Sequence, residues 1–289
     1  MNEAIEKTLK AGEILKKVVE EAKEKIKPGI KILEVAEFIE RRTEELGAKP
    51  AFPCNLSINS DAAHFTPKAN DNRVFKEGDL VKLDYGVHLD GYIADMAISV
   101  DLGDHSDLIK AAREAVEAAV EIVKAGTSTS KLGEVIESTI KSYGYRPIVN
   151  LTGHGLQPYS VHSPPSIPNY ASQKGFELEE GMIIAIEPFA TNGVGRVVER
   201  KECEIYSLTS IRSIRMKQAK ELMDEISKKY RSLPFARRWI KVSEIIFSKL
   251  IKEGVLRSYP VLYEVSNGKV SQWEHTVIVE KDGALLVTR

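Results

Sequence analysis

The sequence predicts a mixed α/β (α+β) fold, in which helices lie beside a β-sheet and a helical segment is inserted late in the chain. Three observations predict it: a helix–helix–strand pattern that occurs twice, β-rich runs joined by hairpin turns, and a basic helical stretch between two such runs. The chain has 289 residues, of which 43% are hydrophobic. That is enough for one large domain, or two of medium size, with a substantial core.

Composition and charge exclude several classes of protein. The formal net charge is −1, which points to neither an acidic nor a basic partner. No apolar run is long enough to span a membrane, and the first residues form a charged amphipathic helix rather than a secretion signal. Two cysteines are too few for a disulfide framework or a thiolate metal site. We therefore expect a cytoplasmic protein, and its Lys- and Glu-rich composition is typical of a thermophile.

The repeated pattern consists of two amphipathic helices followed by a strand. The predicted helices cover 3–25, 33–46, 107–125 and 130–143. A shift of 97 positions aligns the two copies without a gap and gives eleven identities in 32 positions, including Gly29 with Gly126, Gly47 with Gly144 and Pro50 with Pro147. The matching glycine and proline positions favour a duplicated unit over chance similarity between two Glu-rich helices.

Strand-like sequence follows each helical unit. The predicted strands cover 79–87, 92–101, 181–187, 272–279 and 284–288. The first two flank a hairpin signal at His88-Leu89-Asp90-Gly91, and the third is stopped by Pro188.

A basic helical region separates the last strands from the rest. We predict helices over 209–230 and 234–253. Between residues 212 and 257 there are 13 Lys or Arg residues and 5 Asp or Glu residues. This composition predicts a helical subdomain inserted between two strands of the sheet.

Asp84 and Asp95 lie in the two strands of the predicted hairpin. A two-residue turn at Asp90-Gly91 places Asp95 opposite Gly86, with Asp84 diagonal to it, whereas a turn at Leu89-Asp90 places the two aspartates directly opposite. Either register brings the carboxylates within about 5–8 Å, while a three-residue loop would put them on opposite faces. Two like charges at that distance require a cation or a raised pKa. The alternative is one edge aspartate and one turn aspartate.

Three further residues suit the same metal site. His154 lies between two glycines, and His162 follows it in what we expect to be one Gly- and Pro-shaped loop. Glu187 ends an apolar strand, and Glu274 lies inside another, where glutamate is disfavoured. Each could be a surface residue, but oxygen and nitrogen ligands together favour a catalytic Zn, Mn, Fe or Co site.

Five segments resemble, in order and spacing, methionine aminopeptidases of type II, the archaeal and eukaryotic class. They are AFPCNLSINSDAAHFTP, KLDYGVHLDGYIADMA, TGHGLQPYSVH, IIAIEPFATNGVGRV and QWEHTVIV. The resemblance implies the pseudo-symmetric "pita-bread" fold, with a central curved antiparallel sheet flanked by helices. It also implies a catalytic domain formed by 1–207 and 263–289, and an inserted helical subdomain at 208–262. The segment SPPSIPNY after His162 departs from the family pattern, and we expect it to reshape the rim of the pocket.

The resemblance also implies a role for each candidate residue. Two divalent ions (Co, Mn, Fe or Zn) would be held by five ligands, with Asp95 and Glu274 bridging, Asp84 on one ion, and His154 and Glu187 on the other. Glu187 would also be the general base, and His64 and His162 would contact the scissile carbonyl or amide. The methionine pocket would be lined by Phe52, Val161, Phe189 and Tyr259. Cys54 has the neighbourhood of a pocket residue, and we expect it to be a small buried apolar residue rather than a catalytic thiol. His88, His105 and His275 match no required position, and we expect structural or solvent-facing roles for them.

The implied function is removal of the initiator methionine from nascent proteins, by attack of a metal-activated water on the methionine carbonyl. The alternatives are a peptidase of the prolidase or aminopeptidase P type, and a non-catalytic protein- or RNA-binding relative. We expect nascent polypeptides as partners, no DNA and no membrane, and a monomer. The basic insertion could contact the ribosome, or its charges could simply be solvated helix faces. Charge reversal at Arg237, Arg238 and Lys241 is the test that the sequence suggests.

Overall fold

A computed structural model describes residues 3–289 of the chain. Its helices are α1 (Glu3–Lys23), α2 (Ile32–Glu45), α3 (Ser106–Glu121), α4 (Thr129–Ser142), α5 (Lys217–Lys229) and α6 (Glu244–Lys252). Its strands are β1 (Lys49–Pro50), β2 (Asn55–Ile58), β3 (Asp61–Ala63), β4 (Leu80–Leu89), β5 (Tyr92–Asp101), β6 (Arg146–Pro147), β7 (Thr152–Gln157), β8 (Ser160–Pro168), β9 (Ile183–Ile186), β10 (Phe189–Thr191), β11 (Val197–Glu199), β12 (Ile205–Leu208), β13 (Phe235–Ala236), β14 (Leu256–Tyr259), β15 (Leu262–Glu264), β16 (Val270–Gln272), β17 (Glu274–Val279) and β18 (Ala284–Leu286).

One curled sheet of nine strands organises the molecule. Its order is β1-β4-β5-β17-β9-β7-β8, with β2 paired to β4 and β18 paired to β17, and every pair is antiparallel. Helices α1 and α2 bury their apolar faces against β4 and β5, whereas α3 and α4 pack against β9 and β17. The predicted fold, a curved antiparallel sheet with flanking helices, is therefore confirmed. Within residues 3–289, every helix is too short or too polar to cross a membrane.

The duplicated unit is visible in the backbone. Gly29 and Gly126 both adopt a left-handed conformation, with φ of 88° and 83°, at the loop between the two helices of each copy. Gly47 and Gly144, with φ of 82° and 79°, end the second helix of each copy. The strands that follow, β1 and β6, begin at equivalent positions. Side chains with a Cβ rarely adopt this conformation, which explains why glycine occurs at both positions of both copies.

The hairpin between β4 and β5 has the first of the two predicted registers, with its turn at Asp90-Gly91. Leu89 pairs with Tyr92, so Asp90 and Gly91 form a two-residue turn, with φ of 52° and 94°. Positive φ at both positions is the requirement of the type I′ turn, and Asp-Gly meets it. Asp95 therefore lies opposite Gly86, with Asp84 two residues further along the same face.

The inserted region is less helical than predicted. The helix expected over 209–230 begins only at Lys217, and the one expected over 234–253 begins only at Glu244. Phe235 instead pairs with Tyr206 as strand β13, and a 3₁₀ turn follows at Arg237–Trp239. The pairing of β13 with β12 explains the late start of α6, because residues that pair in a sheet cannot also be helical.

A three-stranded sheet, β13-β12-β14, and helices α5 and α6 share one separate apolar core in this region. The boundaries predicted at 207/208 and 262/263 both fall inside strands, β12 and β15. The division of the chain into a catalytic domain and an inserted subdomain stays a prediction. The strand pairing favours a start at β12 rather than after it.

The segment around His154 and His162 is a strand hairpin, so the prediction of a loop there was wrong. His154 lies on β7 and His162 on β8, which is the last strand of the large sheet. Pro164, Pro165 and Pro168 of the unusual SPPSIPNY segment lie on this edge strand. An edge strand can lose backbone donors without breaking a sheet, and proline there also blocks pairing with another chain.

Candidate metal centre

The five predicted ligands lie on, or directly after, five adjacent strands of the large sheet. In the order of the sheet, Asp84 lies on β4, Asp95 on β5, Glu274 on β17, Glu187 just after β9, and His154 on β7. One ligand atom from each of Asp95, His154 and Glu274 lies within 4.8 Å of the other two. Nε2 of His154 is 3.4 Å from Glu187 Oε1 and 3.9 Å from Asp95 Oδ2.

Strand register explains why these residues meet. Asn55, Asp84, Ala97 and Glu274 form one row across β2, β4, β5 and β17. On the other side of β17, His275 pairs with Ile186, and Trp273 donates a hydrogen bond to the Pro188 carbonyl. Glu187 lies between these two contacts and therefore extends the same row.

Side-chain hydroxyls replace part of the backbone ladder between β5 and β17. The two strands pair directly at Glu274 with Ala97 and at His275 with Met96. Beyond that pair, Thr276 Oγ1 accepts from the Asp95 amide at 2.8 Å and donates to the Asp95 carbonyl at 2.7 Å. Before it, Ser99 bonds the backbone of Gln272 in the same double way. The two strands are thus bridged by hydroxyls on both sides of the candidate ligand Glu274.

The cluster contains four carboxylates, from Asp84, Asp95, Glu187 and Glu274, that lie close together inside the protein. Among residues 3–289, no Lys or Arg forms an ion pair with any of them. Burial raises the pKa of Asp84 to about 6, although Gln272 and Asn55 donate hydrogen bonds that oppose the shift. Burial, and then repulsion from the neighbouring carboxylates, also raises the pKa of Asp95, Glu187 and Glu274. Oδ1 of Asp95 is buried and has no hydrogen-bond partner. Such a cluster fits a cation.

His154 is oriented as a ligand. Burial lowers its pKa to about 3, so the ring is neutral near pH 7. Nδ1 lies 3.3 Å from the Gly155 carbonyl, which can only accept, so Nδ1 carries the proton. Nε2 is then left with its lone pair directed at the carboxylates. A histidine whose other nitrogen donates to a backbone carbonyl is the usual arrangement at metal sites.

A cleft of about 470 Å³ opens onto this cluster. Of the predicted substrate-contacting residues, it is lined by Phe52, His64, Val161, His162 and Tyr259. Phe189 does not line it: its side chain is buried in a separate apolar cluster with Ile148 and Val270. The cleft has four wall residues that the sequence analysis missed: Asn55, Ala63, Ile205 and Pro234. Asn55 is found only from the pairing of β2 with β4, and the others only from tertiary contacts.

Two histidines face the cleft beside Tyr259. The His64 ring packs edge-on against Tyr259 at 5.7 Å between centroids, and His162 packs against His154 at 4.7 Å. Burial lowers the pKa of His64 to about 4, and the same cause followed by the charge of Arg257 lowers the pKa of His162 to about 4. His64 Nδ1 lies 3.2 Å from the Pro260 carbonyl, so Nε2 is an acceptor in the neutral ring.

The other histidines and the cysteine lie outside this arrangement. Cys54 is fully buried, as expected of a small apolar residue. His88 accepts from the Gly91 amide within its own hairpin, and His105 contacts Lys269 at the surface. His275 is buried on β17 and contacts Thr288.

Comparison with known proteins agrees with this geometry. The model of metallopeptidase family M24 matches residues 6–281. The chain therefore belongs to metallopeptidase family M24, whose members are metal-dependent hydrolases.

Within that family, the chain belongs with the methionine aminopeptidases. It is 66% identical to the methionine aminopeptidase of the archaeon Archaeoglobus fulgidus, over 100% of this chain and 99% of the relative. Two solved structures share the fold. A thermophilic Arx1 has a TM-score of 0.88 at 19% identity and covers 99% of this chain and 91% of its own. Methionine aminopeptidase from Thermotoga maritima has a TM-score of 0.76 at 24% identity and covers 100% and 98%. The predicted family and enzyme class are confirmed.

Proposed function

We propose that this protein removes the amino-terminal methionine from polypeptides. One observation carries the proposal: two buried and two partly buried carboxylates and a neutral imidazole lie together at a cleft that is lined by apolar side chains and by two histidines. An unbranched thioether side chain suits an apolar pocket of this kind. The 66% identity to a methionine aminopeptidase supports the same substrate.

Two divalent cations fit the ligand set. Asp95 and Glu274 would be shared between them, Asp84 would complete one, and His154 with Glu187 the other. In the part of the chain that the structure describes, no Lys or Arg pairs with these carboxylates, and this and their raised pKa values support the proposal. Oxygen and nitrogen donors accept Co, Mn, Fe or Zn. When bound, the ions lower the pKa of water and polarise a carbonyl group.

The protein's own residues bind the substrate, transfer the proton and stabilise the developing charge. Phe52, Val161 and Tyr259 hold the methionine side chain, and the buried carboxylates attract the free amino group. Glu187 takes the proton of the attacking water and passes it to the leaving amine, for which its raised pKa is suited. His64 Nε2, as an acceptor, receives a hydrogen bond from a substrate amide, and His162 stabilises the developing charge on the carbonyl oxygen.

Cleavage of a Met-Ala-Ser peptide tests the proposal. The enzyme should lose activity on chelation and regain it when Co, Mn, Fe or Zn is added back. An Xaa-Pro peptide assayed in parallel tests the prolidase-type alternative, and we expect it to be a poor substrate. Absence of cleavage with every metal would refute the proposal.

The Glu187→Gln variant tests the role of the base in the same assay. Glutamine keeps the shape of the side chain but cannot take a proton. We expect kcat to fall by at least about 100-fold, in line with the usual contribution of a general base. Binding of the product methionine, measured by calorimetry, should persist. A variant with normal kcat would show that another group removes the proton.

The same proposal includes a monomeric state, a cytoplasmic location and association with the ribosome. The last two follow from the function, because an enzyme that acts on new proteins works where they are made. Charge reversal at Arg237 and Arg238 would not test ribosome binding. Arg238 is almost fully buried against Glu40, and Arg237 pairs with Glu244, with only 16% of its side chain exposed. Only Lys241, the third residue of the predicted charge reversal, is exposed. Reversing the two arginines would disturb packing rather than a surface.

A further inference from the structure

A buried ion pair joins the inserted region to helix α2. Glu40 of α2 accepts from Arg238 and, at 2.9 Å, from the indole nitrogen of Trp239. It also accepts from the amide of Cys54 at 3.2 Å. Only 4% of the Arg238 side chain and 10% of the Glu40 side chain are exposed. The inserted region therefore meets the rest of the molecule through charged groups that are largely shielded from water.

The second branch of the same guanidinium reaches another segment. Arg238 Nη1 donates to Thr66 Oγ1 at 2.8 Å and to the Pro67 carbonyl at 3.1 Å. Thr66 Oγ1 in turn donates to the Cys54 carbonyl at 2.8 Å. One side chain thus ties together α2, the start of β2 and the segment that follows His64. A planar fork with separate donors makes this possible, and a lysine could not reach both sides.

The two tied segments carry residues of the cleft wall. Asn55, next to Cys54, pairs with Asp84, and His64 lies two residues before Thr66. His64 has a left-handed backbone, with φ of 64°, a conformation that few residues other than glycine adopt. Its ring nitrogen Nδ1 also lies 3.2 Å from the Pro260 carbonyl, which belongs to the inserted region as well. The inserted region therefore contacts the His64 segment at two points, through Arg238 and through Pro260.

We propose that Arg238 is a positioning residue, through which the inserted region holds His64 and Asn55 in place for the substrate. The inference rests on the proposed function, because peptide cleavage is one of its readouts. A buried ion pair need not add net stability, since well-packed apolar replacements are often as stable. The geometric task of connecting three segments is what such replacements would lose.

The test compares Arg238→Lys with Arg237→Lys. Lysine at 238 keeps the charge facing Glu40 but loses the link to Thr66 and Pro67. Arg237 is the matched control, because its side chain bonds only Ile240, Val242 and Glu244 within the inserted region. We expect Arg238→Lys to lose between about 10-fold and 100-fold in kcat/KM for Met-Ala-Ser, as misplaced groups typically do. Arg237→Lys should stay within about threefold of the unchanged enzyme, by the same scale.

A spectroscopic readout makes the result independent of turnover. In ¹⁵N-histidine spectra of the metal-free protein, the His64 signal is assigned by its loss in a His64→Asn variant. It should shift or broaden in Arg238→Lys and stay in place in Arg237→Lys. If the unchanged protein cleaves no Met peptide, the proposed function fails, but the spectra still test the coupling.

A second variant guards against a folding defect caused by an unpaired buried charge. Glu40→Leu with Arg238→Met removes both charges at once and should fold, as judged by its Tm, while showing the same displaced His64 signal. The proposal is overturned if both Arg238 variants keep an unmoved His64 signal. It is also overturned if Arg237→Lys moves that signal equally, since the effect would then be general loosening of the inserted region.

Discussion

Single hydroxyl groups decide how the two strands at the centre of the site are spaced. Thr276 is fully buried, and its hydroxyl both accepts from and donates to the backbone of Asp95. This hydroxyl occupies the position at which two regularly paired strands would form a direct backbone hydrogen bond. The carboxylate of Asp95 is thereby held on a backbone that cannot shift without breaking two hydrogen bonds.

Thr276→Val is expected to weaken metal binding. Valine keeps the branched shape but leaves the Asp95 amide and carbonyl unpaired. Loss of groups that orient metal ligands typically costs about 10- to 100-fold in metal affinity, and we expect that range by calorimetric titration with Mn or Co. Thr191→Val is the control, because Thr191 is equally buried and bonds Lys269 and Gly193 away from the site. Equal metal affinities in the two variants would contradict this role for Thr276.

At the scale of elements, the basic residues of the inserted region form two groups, one largely buried and one exposed. Arg237 and Arg238 are held inside by carbonyl groups and carboxylates. Lys217, Lys220 and Lys228 of helix α5 are exposed. A surface that attracts the phosphates of RNA must be formed by exposed basic residues such as these lysines.

Reversal of the exposed charges on α5 is expected to weaken any ribosome association. We predict that the triple variant Lys217→Glu, Lys220→Glu, Lys228→Glu no longer co-sediments with ribosomes but cleaves Met-Ala-Ser normally. The matched control reverses three exposed lysines of α1, Lys10, Lys17 and Lys23, and should co-sediment as before. Unchanged sedimentation of the α5 variant would remove this helix from the proposal.

At the scale of the whole molecule, the metal site opposes folding when no metal is bound. Burial raises the pKa of all four carboxylates, and repulsion from neighbouring carboxylates adds to the rise for Asp95, Glu187 and Glu274. A carboxyl group with a raised folded-state pKa destabilises the fold when it is ionised. For Asp84, that penalty is fully present above about pH 6, shrinks as the pH falls, and is absent below its ordinary pKa of 3.8.

Asp84→Asn is therefore expected to stabilise the chelated protein. At pH 7.5 with a chelator, the free energy of unfolding should rise by about 1–3 kcal/mol, because a shift of one pKa unit corresponds to about 1.4 kcal/mol. The gain in Tm should decline at pH 5 and disappear near pH 4. With saturating metal, the sign should reverse, since the variant lacks one ligand. Asp104→Asn, at an exposed loop position, gives the baseline. A gain that does not change with pH would contradict the electrostatic cause.

The parts of this protein that sequence predicts well are those governed by local rules. The repeated glycines, the Asp-Gly turn and the apolar periodicity located the four helices of the duplicated unit and the β4–β5 hairpin to within a few residues. The hairpin register also placed Asp84 and Asp95 on one face.

The errors occurred where distant segments compete with local preference. Residues 234–243 have a helical composition, but Phe235 pairs with Tyr206 instead. Proline-rich β8 was assigned to a loop because local pattern cannot show that a segment lies on a sheet edge. Phe189 was placed in the pocket on resemblance, yet it packs in a neighbouring core.

The sequence by itself singled out the five candidate ligands only as a set, because each of them alone could be a surface residue and the order and spacing of the five family-like segments joined them. Only the tertiary structure decided how they meet. Asp84, Glu274 and Glu187 share one row because β4, β5, β17 and β9 are adjacent, although more than 170 residues separate β5 from β17. Such pairing depends on the packing of the whole sheet, as does the reach of Arg238 to Glu40 and Thr66, and no local pattern encodes either.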